Sequence, residues 1–332
     1  MKLKIVYDVI SPIDSLYFEQ AWASAWSLKQ YNPDAYVVLL TDQATSDTLK
    51  TEERKGALDV IDEICIVTFK KDYTNKEKSR WIKTNMRNLI CGDFLFIDAD
   101  TIVTGVLDEL ECINCTIGAV LDNHCHSIEI SNFPIFRMMY TNLFQQIYGI
   151  DYKDDTDVYN SGVLLVRDVP AAYEFFNLWH QNWLISRQHG ECRDQLSMTK
   201  VLQEKKNFIT ELSGVYNCQI RTSVQYLYDA LILHTFSRLE DSSISPLFSY
   251  QIYQQIRRNK GITDEVAKLL INCKKSFESP SFLVDKRWME IRFSPSFLLL
   301  KQMMESTRCM DILLLQLINF LSRTLMWLKA KI

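Results

Sequence analysis

Two carboxylates stand one residue apart at the end of an apolar run, Phe94-Leu-Phe-Ile-Asp98-Ala-Asp100. On a strand, positions i and i+2 project to the same side, so Asp98 and Asp100 can converge on one ligand. Two bare acids that close raise each other's pKa, and a hard divalent cation such as Mn²⁺ or Mg²⁺ relieves the repulsion while keeping coordination sites for phosphate oxygens. The other reading of Asp-x-Asp is a solvated acidic loop or a helix N-cap. Ahead of the pair, Lys78, Arg80, Lys83 and Arg87 lie on one helix. Arg80 and Lys83, three residues apart, share a face from which they can reach a phosphate near Asp100, or else form a solvated basic surface. After the pair, Asn160-Ser161-Gly162 opens an apolar strand, and small residues there admit a ligand close to the backbone. Asp194 and Gln195 begin a helix, offering an acceptor and a donor to sugar hydroxyls, with simple capping as the plainer role. His234 ends the apolar stretch 231–234 and suits a third metal ligand.

These residues need a scaffold that brings strand ends together. Residues 3–10, 36–41, 64–69 and 94–97 read as buried strands, separated by helical patterns over about 17–31, 46–58 and 76–91. Such alternation predicts a mostly parallel sheet covered by helices on both faces, with ligands at the carboxyl ends of the strands. Further strands are expected at 116–121, 158–166 and 231–234, and helices at 133–148, after Pro170 and around Asp194. From about Pro246 the pattern is helical only. The expected division is a catalytic domain over 1–245 and a helical C-terminal extension over 246–332.

The 332 residues are 47% hydrophobic and 23% charged, enough to bury a large core, which excludes a disordered or low-complexity scaffold. A net charge of −4 argues against nucleic acid as a partner. That charge is unevenly spread: residues 286–332 carry +5 and residues 1–285 carry −9. Nine cysteines in no regular framework read as reduced thiols of a cytoplasmic protein. An acidic residue at Asp8 precedes any signal-peptide core, and no run of about 18 apolar residues exists to span a bilayer. Cys112-Ile-Asn-Cys115 and His124-Cys-His126 lack zinc-site spacing.

Taken in order, these segments resemble a GT-A-fold nucleotide-sugar glycosyltransferase, most of all glycosyltransferase family 8. The match covers residues 1–240 and rests on Asp98-x-Asp100, Asn160-Ser-Gly-Val-Leu-Leu, Asp194-Gln195 and His234. The resemblance implies a GT-A sheet and a hexose transferred, with retention, from a UDP-sugar such as UDP-glucose or UDP-galactose. The acceptor would be a saccharide or lipid-linked saccharide of cell-surface polysaccharide or lipopolysaccharide synthesis. It implies that Asp98, Asp100 and His234 hold Mn²⁺ (or Mg²⁺), with Asp98 also on the ribose. Arg80 and Lys83 would contact the donor phosphates or sugar. Asn160, Asp194 and Gln195 would line the donor sugar, Gln195 nearest the anomeric carbon, so that Asp194 and Gln195 are the catalytic candidates. Asp8 or Ser11 would meet the nucleotide base. The family follows its metal histidine with Gly and Lys; here Glu240 stands at the Lys position and Arg238 is the expected substitute.

Two other classes share parts of the pattern. A haloacid dehalogenase-type phosphatase also uses a strand-end Asp-x-Asp, but on its first strand and followed by Thr or Val where Ile102 stands. A non-catalytic binding protein of the same fold would tolerate the irregular stretch after His234. Over 311–329, Leu313, Leu314, Leu317, Phe320, Leu321, Leu325 and Leu328 fall on one helical face, with Arg323 and Lys329 on the other. That pattern suits docking on an anionic membrane surface, and packing on the protein body is its alternative.

Overall fold

A computed structural model gives the fold and describes residues 2–69, 73–130, 134–220, 225–236, 250–276 and 295. Met1–Ser281 form one compact unit and Phe282–Ile332 a second. The membrane-docking helix expected at 311–329 lies outside the described residues, as does Arg238. No helix among the described residues is long and apolar enough to cross a membrane.

The chain runs β1 (Lys4–Asp8), α1 (Tyr17–Tyr31), β2 (Tyr36–Thr41), α2 (Gln43–Thr48), β3 (Glu63–Ile66), α3 (Asn75–Asn85), β4 (Phe94–Ile97), β5 (Thr101–Val103) and β6 (Ile117–Leu121). It continues through α4 (Ser127–Ile130), α5 (Pro134–Tyr148), β7 (Tyr159–Val166), α6 (Pro170–Gln188), α7 (Asp194–Glu204), β8 (Ile209–Glu211), β9 (Cys218–Gln219), β10 (Ile232–His234), α8 (Tyr250–Asn259) and α9 (Asp264–Ile271). Seven strands form a mixed sheet in the order β3-β2-β1-β4-β7-β6-β8. The β3, β2, β1 and β4 strands run parallel, as does β8 beside β6, whereas β7 runs antiparallel to both β4 and β6. The mainly parallel α/β sheet expected from the sequence is therefore what forms. A second sheet, β5-β10-β9, stands apart and brings His234 opposite Thr101.

Strand alternation sorts the core into two faces. Val6, Val38, Leu40, Phe94 and Phe96 pack with Ile82 and Met86 from the α3 region and with Phe175, Phe176 and Trp179 of α6. Tyr7, Val37 and Leu39 point the other way, onto Phe18, Ala21 and Trp22 of α1. All these sheet residues are buried, and at about 25 cal/mol per Å² of apolar surface their burial is the main term holding the layers together. Thr74 opens α3 with a reciprocal capping box to Glu77, which fixes where Arg80 and Lys83 emerge.

The helix expected over 46–58 is a short α2 followed by a separate 3-10 turn at Lys55–Asp59. Threonines explain the break. Thr48 and Thr51 turn their hydroxyls back onto the carbonyls of Thr45 and Thr48 at 2.7 Å, and such back-bonding weakens a helix interior.

Candidate functional site

The two carboxylates converge through a turn, where the sequence reading expects a strand. Strand β4 ends at Ile97, and residues 98–100 cross to β5. The Asp98 N–H donates to the Gly162 carbonyl at 2.7 Å, and the Thr101 hydroxyl donates to the Asp98 carbonyl at 2.9 Å. Asp100's carbonyl accepts from both the N–H and the hydroxyl of Thr235, each at 2.9 Å. The Ser24 hydroxyl bridges Thr101 and Tyr7, at 2.8 and 2.9 Å, tying the turn to α1 and β1. With its backbone bonded this fully, the turn holds both side chains in place without a ligand.

His234 arrives from the other sheet. Its Nε2 lies 3.2 Å from Asp100 Oδ1, and ligand atoms of Asp98, Asp100 and His234 all fall within 4.8 Å of one another. A relay fixes the ring. His234 Nδ1 meets Asn217 Oδ1 at 3.0 Å, Asn217 Nδ2 donates to Asn160 Oδ1 at 2.9 Å, and Asn160 Nδ2 donates to Asp122 Oδ1 at 3.1 Å. Since both amide nitrogens donate toward Asp122, the remaining Asn217 oxygen must accept, and Nδ1 carries the proton. Nε2 then presents its lone pair to a carboxylate oxygen, an arrangement that needs a proton or a cation between them. Burial pushes the Asp100 carboxyl up, and His234 more than reverses it, leaving it below its usual range. Two carboxylates and one oriented imidazole form a group that could hold a divalent metal ion. Gly162 makes the approach possible: a Cβ there would stand 2.4 Å from His234 Cε1 and 2.8 Å from Asn160 Oδ1.

Cations line the adjacent side. Lys83, fully buried, donates to both oxygens of Asp98 at 2.8 and 3.0 Å and stands 3.7 Å from Asp194 Oδ2. Arg80 Nε is 3.1 Å from Asp194 Oδ1, yet its angle makes no hydrogen bond, so the pair is held by charge alone. The Ser161 hydroxyl donates to Asp194 at 2.5 Å. Burial would raise the Asp194 carboxyl, but Arg80 and Lys83 hold it far below the carboxylate range. Asp8, at the end of β1, accepts from Ser79 at 2.7 Å. Its pKa is raised to about 6, chiefly by burial, with Lys83 opposing and Asp98 reinforcing the shift.

The structure thus brings Asp8, Arg80, Lys83, Asp98, Asp100, Asp194 and His234 into one electrostatic cluster. Asn160 joins through Asn217, and Gln195, at the start of α7, reaches Tyr159 O at 3.4 Å. Ser11 sits elsewhere. It is fully buried, its N–H donates to Thr45 Oγ1, and its hydroxyl contacts Ser15, Phe18 and Arg54. Asp122 and Asn217 were not singled out from sequence. Asp122 had a signal, an acid closing the apolar strand β6 as Asp98 closes β4, whereas Asn217 had none. The His124-Cys-His126 stretch forms no metal group among the described residues; His124 Nε2 accepts from Gln219 N at 2.9 Å.

The topology has a counterpart among solved proteins. WbbM, a bifunctional glycosyltransferase in its apo form, superposes with a TM-score of 0.50 at 14% identity, over 80% of this chain and 51% of its own. The chain shares the fold of that structure. This chain spans about half the length of that protein. Mouse xyloside xylosyltransferase 1, apo form, matches with a TM-score of 0.45 at 12% identity, over 70% of this chain and 97% of its own. The galactosyltransferase LgtC, solved with donor and acceptor sugar analogs, gives 0.48 at 12% identity, over 80% and 99%. No protein-family model matches the sequence, and neither does any curated protein. At 14% identity, what this chain shares with WbbM is the fold.

Proposed function

We propose that this protein is a glycosyltransferase that moves a hexose from a nucleoside-diphosphate sugar, UDP-glucose or UDP-galactose, to a saccharide or lipid-linked saccharide, with retention at the anomeric carbon. The observation that carries the reading is the convergence of Asp98, Asp100 and an imidazole oriented by Asn217, directly beside the buried Lys83 and the half-buried Arg80. Asp98, Asp100 and His234 would hold a divalent cation, Mn²⁺ or Mg²⁺, which when bound supplies Lewis-acid neutralisation of charge on a diphosphate.

The chain's own residues do the rest. Lys83, buried, and Arg80, half-buried beside Asp194, are positive charges already in place, so they stabilise negative charge growing on a departing phosphate with little reorganisation. Asp194, already ionised and hydrogen-bonded to Ser161, accepts from sugar hydroxyls, while Asn160 and Gln195 flank it. Gln195, closest to the anomeric carbon in this reading, orients the sugar so that the acceptor hydroxyl attacks the face vacated by the leaving group. Asp8 contacts the nucleoside side, with Ser11 shaping the loop that follows and Arg238 adding charge at the diphosphate. Enclosure of the sugar away from water separates transfer from hydrolysis.

The cellular setting proposed is the cytoplasmic face of the membrane, in polysaccharide or lipopolysaccharide synthesis, with the basic helix at 311–329 docking on anionic lipid. Domain 1–245 would carry the chemistry and 246–332 the docking. A thermal-shift panel of nucleoside diphosphates and their sugars, with and without Mn²⁺, tests the reading. Stabilisation by UDP or a UDP-sugar only when Mn²⁺ is present supports it, and no shift with any nucleotide sinks it.

A further inference from the structure

A buried ion network joins α8 to the loop that follows β1. Glu19, on the first turns of α1, is fully buried and receives two guanidinium forks. Arg54 donates from Nε to Oε1 at 2.8 Å and from Nη2 to Oε2 at 3.2 Å. Arg257, on α8, donates from Nε to Oε1 at 2.9 Å and from Nη2 to Oε2 at 2.8 Å. Two cations on one carboxylate leave a surplus positive charge, shared between the buried Arg54 and the partly exposed Arg257. Backbone carbonyls of the β1–α1 loop absorb it. Arg54 also donates to the carbonyls of Ser11 at 2.8 Å and Ser15 at 2.7 Å, and Arg257 donates to the Ser15 carbonyl as well.

This loop leaves the sheet three residues after Asp8, at the strand edge that carries Asp98. We infer that Arg257 is a positioning residue for the donor site, locking in place, from a helix far along the chain, the Ser11–Ser15 loop that leaves the sheet just after Asp8, the residue proposed to meet the nucleoside. The inference rests on the function proposed above. Its reasoning is electrostatic. Without Arg257, Glu19 keeps Arg54, so no bare charge is buried and the fold survives. What disappears is the second hold on the Ser15 carbonyl, and with it the loop's rigidity. A loop that must be ordered at binding weakens affinity and leaves the chemical step alone.

The test compares the full chain with Arg257→Met and Arg257→Lys. Amide hydrogen exchange over residues 11–18 should quicken in Arg257→Met while β1, β2 and β4 keep their protection. The donor KM should rise about five- to tenfold with kcat within about twofold, and Arg257→Lys should recover about half of that loss, because an ammonium restores the charge without the fork. Unchanged exchange in the loop overturns the inference whatever the activity. Faster exchange with an unchanged donor KM overturns it too. A wild type that binds no nucleotide by calorimetry with Mn²⁺ present defeats the proposed function and the donor part together, and the exchange result still reports whether the clamp exists.

Discussion

Lys83 grips both carboxylate oxygens of Asp98, at 2.8 and 3.0 Å, and its Nζ lies 3.7 Å from Asp194. One buried ammonium therefore links the acid proposed to hold metal with the acid proposed to hold sugar. Lys83→Met would strand two anions against each other. Turnover should fall by at least about 100-fold, and because Lys83 opposes the upward shift of Asp8, that carboxyl should titrate higher still in the variant. Steady-state kinetics and carboxyl NMR of the two proteins check both expectations.

Gly162 packs directly against the proposed metal ligand His234. An alanine Cβ would meet His234 at 2.4 Å, so Gly162→Ala must push the imidazole off its position. Mn²⁺ affinity should drop about 10- to 100-fold while far-UV circular dichroism is unchanged. Affinity equal to wild type would mean that His234 is not a ligand.

The relay through Asn217 makes a parallel prediction. Asn217→Leu removes the acceptor that keeps the proton on Nδ1 of His234 and also strips Asn160 of a donor. Metal affinity should again fall about 10- to 100-fold, the range for losing a partner that orients a ligand. Isothermal titration with Mn²⁺ measures it, and Asn217→Gln, which keeps the amide, should retain more affinity than leucine.

Asp8 sets a pH dependence. Its folded-state pKa of about 6 lies above the unfolded value of 3.8, so the folded protein holds that proton more tightly. Its contribution to stability is complete below pH 3.8 and is lost as pH rises through 6. The whole window is worth on the order of 3 kcal/mol as an upper bound. In chelator, the melting temperature of the wild type should fall between pH 4 and pH 6.5 relative to Asp8→Asn, which lacks the titrating group. Parallel curves for the two proteins would contradict this.

How much of this could be read without coordinates depends on the range of the interaction. The β4 run into Asp98 and Asp100, the helix beginning at Asp194 and the strand ending at His234 all announce themselves locally, through apolar periodicity broken by a polar residue. Asp98 lies at a strand end of the parallel sheet, as such folds lead one to expect, whereas His234 reaches it from the separate β5-β10-β9 sheet, through the pairing of β10 with β5. The turn at 98–100 was hidden because its cause is the pairing of Thr101 with Ser24 and of Asp100 with Thr235, contacts from other elements. Asn217 carries no local mark at all, since a lone asparagine reads the same in any loop. The clamp of Arg257 on Glu19 joins residues 238 apart in sequence, beyond any pattern of period or spacing.

The central claim is that Asp98, Asp100 and His234 bind a divalent cation that a nucleoside diphosphate then shares. Titration of Mn²⁺ followed by electron paramagnetic resonance, with and without UDP, tests it on the wild type and Asp100→Asn. The account predicts one bound Mn²⁺ per wild-type chain, held at least about tenfold tighter when UDP is present, and loss of that binding in Asp100→Asn. Equal Mn²⁺ binding by the two proteins, or none by either, would contradict it.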